Sequence, residues 1–382
     1  MSCTRATHPR RLGRTVVLAA ALVAVVAHVL ARPTAAQDRT PAHPGTPAAQ
    51  PADKGAHPLG RWLDAQAVTV SARYNYIEDA LDQTVQNRMQ TQAQIRARLK
   101  ADEAGRYSVH AGLFTGNGFD SGWNPTGIGT GDGTAKIYLK QLFVAAEPWN
   151  GIELRYGSLH PERGQSTEIT TYDNDAYLTA GRVSVRRPRE VFFDEVTASV
   201  GYVGYLDTPF VFDRTGAFSR QNYWQLLASK QIHARLTLST DYSVLEDEGM
   251  LRQGATWRVD SPLADIVAVE YGVRLRGGSH QTAFAFSGEK QVAGVTVQAG
   301  YANVDPAFGV LNGDPYGRGD RVFTTGSFPL PLHLSASWFV QKEISPPATS
   351  SNDVRFDLAL TWNVLKTLRR AGAAPAPLPW LP

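Results

Sequence analysis

The segment "MQTQAQIRARLK", Met89 to Lys100, decides between a helix and a strand. Its Met, Thr, Ala, Ile, Ala and Leu alternate strictly with Gln, Arg and Lys. On a helix, with about 100° between successive residues, the apolar positions would spread over roughly 200° of surface. On a strand they share one face. The segment is therefore predicted to be a strand with one apolar face and one face that requires water, although its residue types favour helices.

The amino terminus has the order of a secretory signal peptide. Arg5, Arg10, Arg11 and Arg14 precede the apolar run "TVVLAAALVAVVAHVLA" (15–31), and small residues follow up to Ala36. This order predicts export and cleavage after Ala36. An uncleaved membrane anchor is the alternative, but the run is at the short limit for crossing a bilayer.

Removal of residues 1–36 changes the charge of the chain. The full sequence has a formal net charge of +3, and this segment contains five Arg and no acid. The remainder has 33 basic and 35 acidic side chains, a net charge of −2, which argues against a nucleic acid partner. The only cysteine, Cys3, is removed as well, so the exported chain has to be stable without disulfides.

The alternation recurs in about sixteen candidate strands between residues 66 and 365, and none of them has a convincing helical stripe. The connections alternate in length: "KADEAG", "EPWNG" and "RPRE" are short, whereas "GNGFDSGWNPTGIGTGDG" and "LHPERGQSTEITTYDND" are long. Brief links near 246–249 and 277–280 are the two exceptions. Short turns at one rim, long loops at the other and an even strand count are typical of transmembrane barrels.

The two faces of the strands support the same fold. In the strand near 265–276, Val269, Tyr271 and Val273 alternate with a face that carries Glu270 and Arg274. A barrel of this size is too wide for side chains to fill, and only helices and closed barrels cross a bilayer without unpaired backbone groups. The fold is therefore predicted to be all-β: a transmembrane antiparallel up-and-down barrel of about 16 strands, with its apolar face toward lipid.

Four segments follow from these patterns. They are a signal peptide (1–36), a disordered Pro- and Ala-rich periplasmic leader (37–65), the transmembrane barrel (66–365) and a Pro- and Ala-rich tail (366–382).

Two neighbouring segments carry a family resemblance. They are "YLKQLFVAAEP" (138–148) and "GIELRYGSL" (151–159), a Lys-Gln-aromatic strand, a tight turn and an amphipathic strand with a Tyr-Gly step. The chain resembles bacterial outer-membrane porin-like barrels related to the phosphate-selective and alginate-export groups. The resemblance implies an outer-membrane channel of a Gram-negative bacterium, in contact with membrane lipid and the barrel-assembly machinery. It leaves a monomer and a homotrimer both open. Such barrels usually end on an aromatic residue, whereas here "FDLALTWNV" is followed by a further segment.

The alternation predicts a basic inner wall. Ten basic residues are predicted to line the pore: Arg96, Arg98, Lys136, Lys140, Arg155, Arg182, Arg186, Arg235, Arg274 and Arg276. Four acids lie in the loop after Leu159, our candidate for the constriction of the pore: Glu162, Glu168, Asp173 and Asp175. A surplus of Arg favours anions. The alternatives are that these charges only hydrate the lumen and pair across strands, and that the loop is a solvated surface loop.

No cofactor or metal is predicted from the sequence. The glycine-rich segment "GIGTGDG" (127–133) follows no buried strand and opens no helix, which argues against a phosphate-binding loop. A barrel hydrolase would require a pair such as Ser158 and His160 near the rim. An adhesin or structural anchor that uses the long loops is another alternative. The sequence favours a porin for passive diffusion of small polar solutes, with a preference for anions, and not an enzyme.

Overall fold

The structure is a computed structural model of the chain. It describes residues 61–79, 81, 83–116, 121–164, 177–187, 191–204, 208–217, 220–259, 261–276, 281–305, 307–308, 317–345 and 353–370. The predicted signal peptide, most of the leader and most of the tail lie outside these residues.

The described chain is built almost entirely of strands. They are β1 (Leu63–Glu78), β2 (Thr84–Lys100), β3 (Tyr107–Thr115), β4 (Asn124–Gly129), β5 (Ile137–Trp149), β6 (Ile152–Leu159), β7 (Leu178–Val185), β8 (Glu195–Tyr202), β9 (Tyr223–His233), β10 (Leu236–Leu245), β11 (Glu248–Arg258), β12 (Ile266–Arg276), β13 (Thr282–Val292), β14 (Val295–Val304), β15 (Gly319–Leu330), β16 (Leu334–Ser345) and β17 (Val354–Asn363). Two 3-10 helices (Val211–Ala217 and Pro331–His333) and one α-helix, α1 (Val364–Arg370), complete the elements.

Antiparallel pairing between neighbours closes the sheet on itself. Each wall strand pairs with the next along the chain, and β1 pairs with both β2 and β17. The short strand β4 lies outside this order. It pairs with the first half of β2, at Arg88, Gln90 and Thr91, whereas β3 pairs with the second half of β2. The wall therefore has sixteen strands, which confirms the predicted count and the up-and-down topology, and β4 is an addition that the sequence did not predict.

The two rims differ in the length of their connections. One, the short-turn rim, has links such as 150–151, 234–235 and 293–294, whereas the other, the long-loop rim, has the connections 116–136, 160–177, 203–222 and 305–318. The predicted short links at this second rim are also present, between β10 and β11 and between β12 and β13, and the link between β1 and β2 is a third. The alternation of short and long connections along the sequence therefore predicted the topology correctly.

The faces of the strands are inverted relative to a soluble protein. On β12, Val269, Tyr271 and Leu275 are exposed, whereas Glu270 and Arg274 are buried. The opening segment repeats this in β2, because Thr91, Ile95 and Leu99 are the exposed positions and the Gln, Arg and Lys positions between them are less accessible. Apolar side chains thus cover the outside and polar side chains face the lumen.

The lumen is not polar throughout. Buried inward-facing residues near the long-loop rim form an apolar cluster that includes Leu178, Tyr223, Met250 and Phe323. Phe308, from the loop after β14, is fully buried in the same cluster, and a Cβ at Gly272 would come within 2.9 Å of its ring. The apolar cluster shows that a loop residue packs inside the barrel, which the sequence analysis did not predict.

At the short-turn rim, the same pair of hydrogen bonds from a lysine and the next backbone N–H to an aspartate occurs twice. Asp265 accepts hydrogen bonds from the Lys290 ammonium at 2.6 Å and from the Gln291 backbone N–H at 2.9 Å. Asp194 makes the same two contacts with Lys230 and Gln231. The backbone N–H of Gln291, and then Lys290, lower the pKa of Asp265 because both stabilise its charged form.

The wall begins at Leu63, not at 66, and ends at Asn363. Helix α1 follows directly where the tail was predicted to begin. Asn363 accepts a hydrogen bond from the Lys366 N–H at 2.9 Å, the contact of a helix N-cap. Within the described part of the chain, we find no helix with the length and hydropathy that a membrane span requires.

Candidate functional site: the inner wall of the barrel

The structure places most of the ten predicted basic residues on the inner wall. Arg96, Arg98, Lys140, Arg155, Arg182 and Arg274 occupy inward positions of strands, Arg276 is the last residue of β12 and Arg186 follows β7. Two predictions are wrong in position. Lys136 precedes β5 and is exposed, and Arg235 is exposed in the turn between β9 and β10. The alternation could not locate them, because a period of two carries no information once the strand has ended.

Lys140 is inward-facing only because β5 contains a bulge. The pairing with β3 shifts between Gly112 and Leu113, so that Lys140 and Gln141 are both buried. The Lys140 ammonium donates to the Ser121 carbonyl at 2.7 Å and so holds the loop after β3 against the wall. This lysine therefore acts as a tether for a loop, with 2 % of its surface exposed.

Several of the predicted arginines are neutralised by carboxylates. Arg155 bonds Glu153 at 2.9 Å, and Arg186 lies 2.7 Å from Glu195 and 3.2 Å from Glu153. The Arg274 guanidinium lies 2.6 Å from Glu248. These arginines contribute little surplus charge to the lumen, so the simple count of basic residues overstates its positive charge.

The start of the candidate constriction loop lies against the inner wall. Arg182, buried on β7, forms an ion pair with Glu162 at 2.5 Å and donates to the His160 carbonyl. Gln225 on β9 donates to the Glu162 carbonyl at 2.9 Å. Two inward side chains on two strands therefore hold this segment inside the barrel. Glu168, Asp173 and Asp175 lie outside the described residues.

Two fully buried ion pairs were missed. Arg252 on β11 bonds Asp241 on β10 at 2.7 Å, with 3 % and 1 % of the side chains exposed. Arg321 on β15 bonds Glu343 on β16 at 3.1 Å, with 3 % and 0 % exposed. Both arginines have the inward parity of their strands, so the alternation could have found them. The pairing itself could not be read from the sequence, since it depends on strand register.

A third group of charges surrounds Asp357 on β17. Its carboxylate accepts from Asn75 at 2.6 Å and from Arg355 at 2.8 Å, and the Arg73 guanidinium lies 3.8 Å away. Arg73 also donates twice to the Gln90 side chain, at 2.7 and 3.0 Å, and its guanidinium lies 4.3 Å from the centre of the Trp123 ring. Trp123 belongs to the loop after β3, so this loop too is held inside the lumen.

The inward face of β2 differs from all of these. Its inward positions are Arg88, Gln90, Gln92, Gln94, Arg96, Arg98 and Lys100. Among the described residues, none of these four cations forms an ion pair with a carboxylate, and the buried Nε atoms of Arg88, Arg96 and Arg98 have no hydrogen-bond acceptor. β2 thus carries four inward-facing cations that no carboxylate of the described residues neutralises.

The candidate nucleophile and base of a hydrolase have other partners in the structure. The Ser158 hydroxyl donates to the Lys140 carbonyl at 2.6 Å, and the His160 ring packs 4.3 Å from the ring of Tyr177. No three His, Cys, Asp or Glu side chains in the described ranges are grouped in a way that could hold a metal ion.

Solved structures with the same fold include bacterial porins. The chain superposes on a mutant of the Rh. blastica porin with a TM-score of 0.50 and 11 % sequence identity, over 79 % of this chain and 99 % of that chain. Pseudomonas aeruginosa OccK8 (OprE) superposes with a TM-score of 0.48 and 12 % identity, over 78 % and 98 % of the two chains. No family model and no curated protein sequence matches the chain. At this identity the first likeness shows a shared fold: the chain is a sixteen-stranded barrel of porin type.

Proposed function

We propose that the protein is an outer-membrane porin, a water-filled channel for passive diffusion of small polar solutes, with a preference for anions. The observation that carries this proposal is that the closed sixteen-stranded wall has apolar side chains on its outside and polar side chains on its inside. In a closed barrel, all backbone N–H and C=O groups of the wall form hydrogen bonds between strands, so the barrel can cross lipid. A barrel of sixteen strands is also too wide for its side chains to fill, which leaves an aqueous channel. Its partners are then outer-membrane lipid, the assembly machinery that inserts barrels, and solutes.

The porin of Rh. blastica has a similar barrel, which supports this proposal at the level of architecture. We propose export by a cleaved signal peptide at residues 1–36, and a homotrimer or a monomer as the assembled form. A barrel adhesin and a barrel hydrolase are the competing functions. No observation on the described residues favours either of them.

Swelling of liposomes that contain the refolded protein tests the channel. Small sugars and small anions are expected to enter and to swell the vesicles, since an open lumen admits both. Vesicles that stay sealed to every solute, while the barrel is folded, would contradict the proposal.

The preference for anions rests on β2. We expect Arg96→Glu to lower the anion-to-cation permeability ratio several-fold, because it replaces an unneutralised cation on the inner wall with an anion. The reversal potential of the reconstituted channel in a salt gradient measures this ratio. Arg235→Glu is the matched control, since Arg235 is exposed in a turn at the rim, and it should change the ratio much less. Equal effects of the two variants would refute the role of β2.

The loop after β6 is proposed to narrow the pore. Glu162→Gln removes the ion pair with Arg182 and leaves only the contacts to the loop backbone, so the loop is held more weakly and we expect a larger single-channel conductance. Glu153→Gln is the control, because Glu153 pairs with arginines on the wall itself and holds no long loop. An unchanged conductance in Glu162→Gln would argue for a loop that does not restrict the channel.

A further inference from the structure

Helix α1 is fixed to the short-turn rim of the barrel by three hydrogen bonds. The Thr367 hydroxyl donates to the Leu332 carbonyl, in the turn between β15 and β16, at 3.0 Å. The indole N–H of Trp362, at the end of β17, donates to the Thr367 oxygen at 2.9 Å. The Arg369 guanidinium donates to the Ala65 carbonyl, near the start of β1, at 2.9 Å. The helix therefore connects the turn before β16, the end of β17 and the start of β1.

The surface around α1 is apolar and exposed. Four large apolar side chains here, with 40–71 % of their surface exposed, are Leu63, Leu332, Trp362 and Leu368. Trp362 follows Leu358 and Leu360 on the outer face of β17, so the patch is continuous with the apolar exterior of the wall. An indole at the end of an outward-facing strand is typical of the boundary between hydrocarbon and headgroups. We call these four residues the rim patch.

The helix beside the rim patch is basic. Its seven residues, "VLKTLRR", include three basic and no acidic side chains. With about 100° between successive residues, the apolar positions 364, 365 and 368 share one side of the helix, and the basic positions share the adjoining side. Within the described ranges, Lys366 has no ion pair, and Arg369 has one with Asp64 at 3.7 Å, between two exposed side chains. Such a pair is screened by water, so α1 presents net positive charge.

We infer that α1 and the rim patch bind an anionic phospholipid of the membrane leaflet at the short-turn rim, an inference that rests on the proposed outer-membrane function. The acyl chains pack on the rim patch, and Lys366 and Arg369 contact the headgroup phosphate. A basic amphipathic helix at a membrane surface binds through its buried apolar area and through attraction to anionic lipids. A zwitterionic phospholipid has the same chains and phosphate but carries its own cation, so the basic side of α1 favours the anionic lipid.

Native mass spectrometry of the full-length folded protein in detergent, with equal amounts of phosphatidylglycerol and phosphatidylcholine, tests the site. We expect the wild type to retain phosphatidylglycerol in excess. Lys366→Gln combined with Arg369→Gln should lower the ratio of the two retained lipids at least about fivefold, the contribution of one basic residue near an anionic surface. Lys366→Arg combined with Arg369→Lys keeps both charges and should retain the wild-type ratio.

Arg235→Gln combined with Arg258→Gln is the matched control, because both arginines are exposed at the same rim but lie outside α1. This control should leave the ratio nearly unchanged. The shift of the folded barrel on unheated gels verifies that each variant is folded.

An unchanged ratio in the doubly substituted helix, or an equal decrease in the control, would overturn the site. Displacement of phosphatidylglycerol by an equal concentration of glycerophosphate would overturn the role of the rim patch. Retention of phosphatidylglycerol by a barrel that passes no current would refute the porin function alone. Conductance together with an unchanged lipid ratio in the doubly substituted helix would refute the lipid site alone.

Discussion

Ile95→Arg is expected to lower the free energy of unfolding in lipid by about 2–4 kcal/mol, the cost of a basic side chain on the lipid face near the middle of a bilayer. Ile95 lies near the centre of β2, opposite Val68 of β1, and 44 % of its surface is exposed on the apolar exterior. Reversible denaturant unfolding of the barrel in lipid vesicles measures the change.

The neighbouring residue supplies the control. Arg96→Gln exchanges side chains on the opposite face of the same strand and should leave the unfolding free energy nearly unchanged, because that face meets water. If both substitutions destabilised the barrel equally, the assignment of the outer and inner faces would be wrong.

Arg252→Met is the second substitution with a large expected effect. It leaves the Asp241 carboxylate, with 1 % of its side chain exposed, without its partner. Removal of one member of a buried ion pair costs about 3–5 kcal/mol, since the remaining charge is desolvated and uncompensated. Denaturant unfolding should therefore show a strong decrease in stability, and Asp241→Asn combined with Arg252→Met should recover part of it.

Lys290→Met is the matched control for this prediction. Lys290 also pairs with a carboxylate, that of Asp265, but 30 % and 38 % of the two side chains are exposed. Exposed pairs contribute little because water and salt screen them. A stability loss in Lys290→Met as large as that in Arg252→Met would contradict the view that burial sets the cost.

The fold could be predicted from the sequence because two independent signals agree. The alternation of residues such as those in β2 gives the two faces, and the parity of loop lengths gives the topology. Both are local properties of the chain. The strand β4 escaped prediction, because "NPTGIG" is rich in Gly and Pro and pairs with β2 only through a long-range contact.

The site was predictable only in part. Inward parity located Arg96, Arg98, Arg155 and Arg182, but the sequence could not separate the neutralised arginines from the others. That distinction depends on register, as for Arg252 and Asp241, and on loops that enter the lumen, as for Arg182 and Glu162. The bulge that turns Lys140 inward, and the apolar cluster around Phe308, are likewise tertiary features without a local pattern.

The reversal potential of the wild-type protein, reconstituted in a planar bilayer under a gradient of potassium chloride, shows whether the barrel is an anion-preferring channel. We expect stepwise increases in current on insertion and a reversal potential displaced toward the equilibrium potential of chloride, because the cations of β2 without carboxylate partners line an open lumen. A folded barrel that passes no current would contradict the channel. Open channels with a reversal potential displaced toward that of potassium would contradict the basic wall of β2.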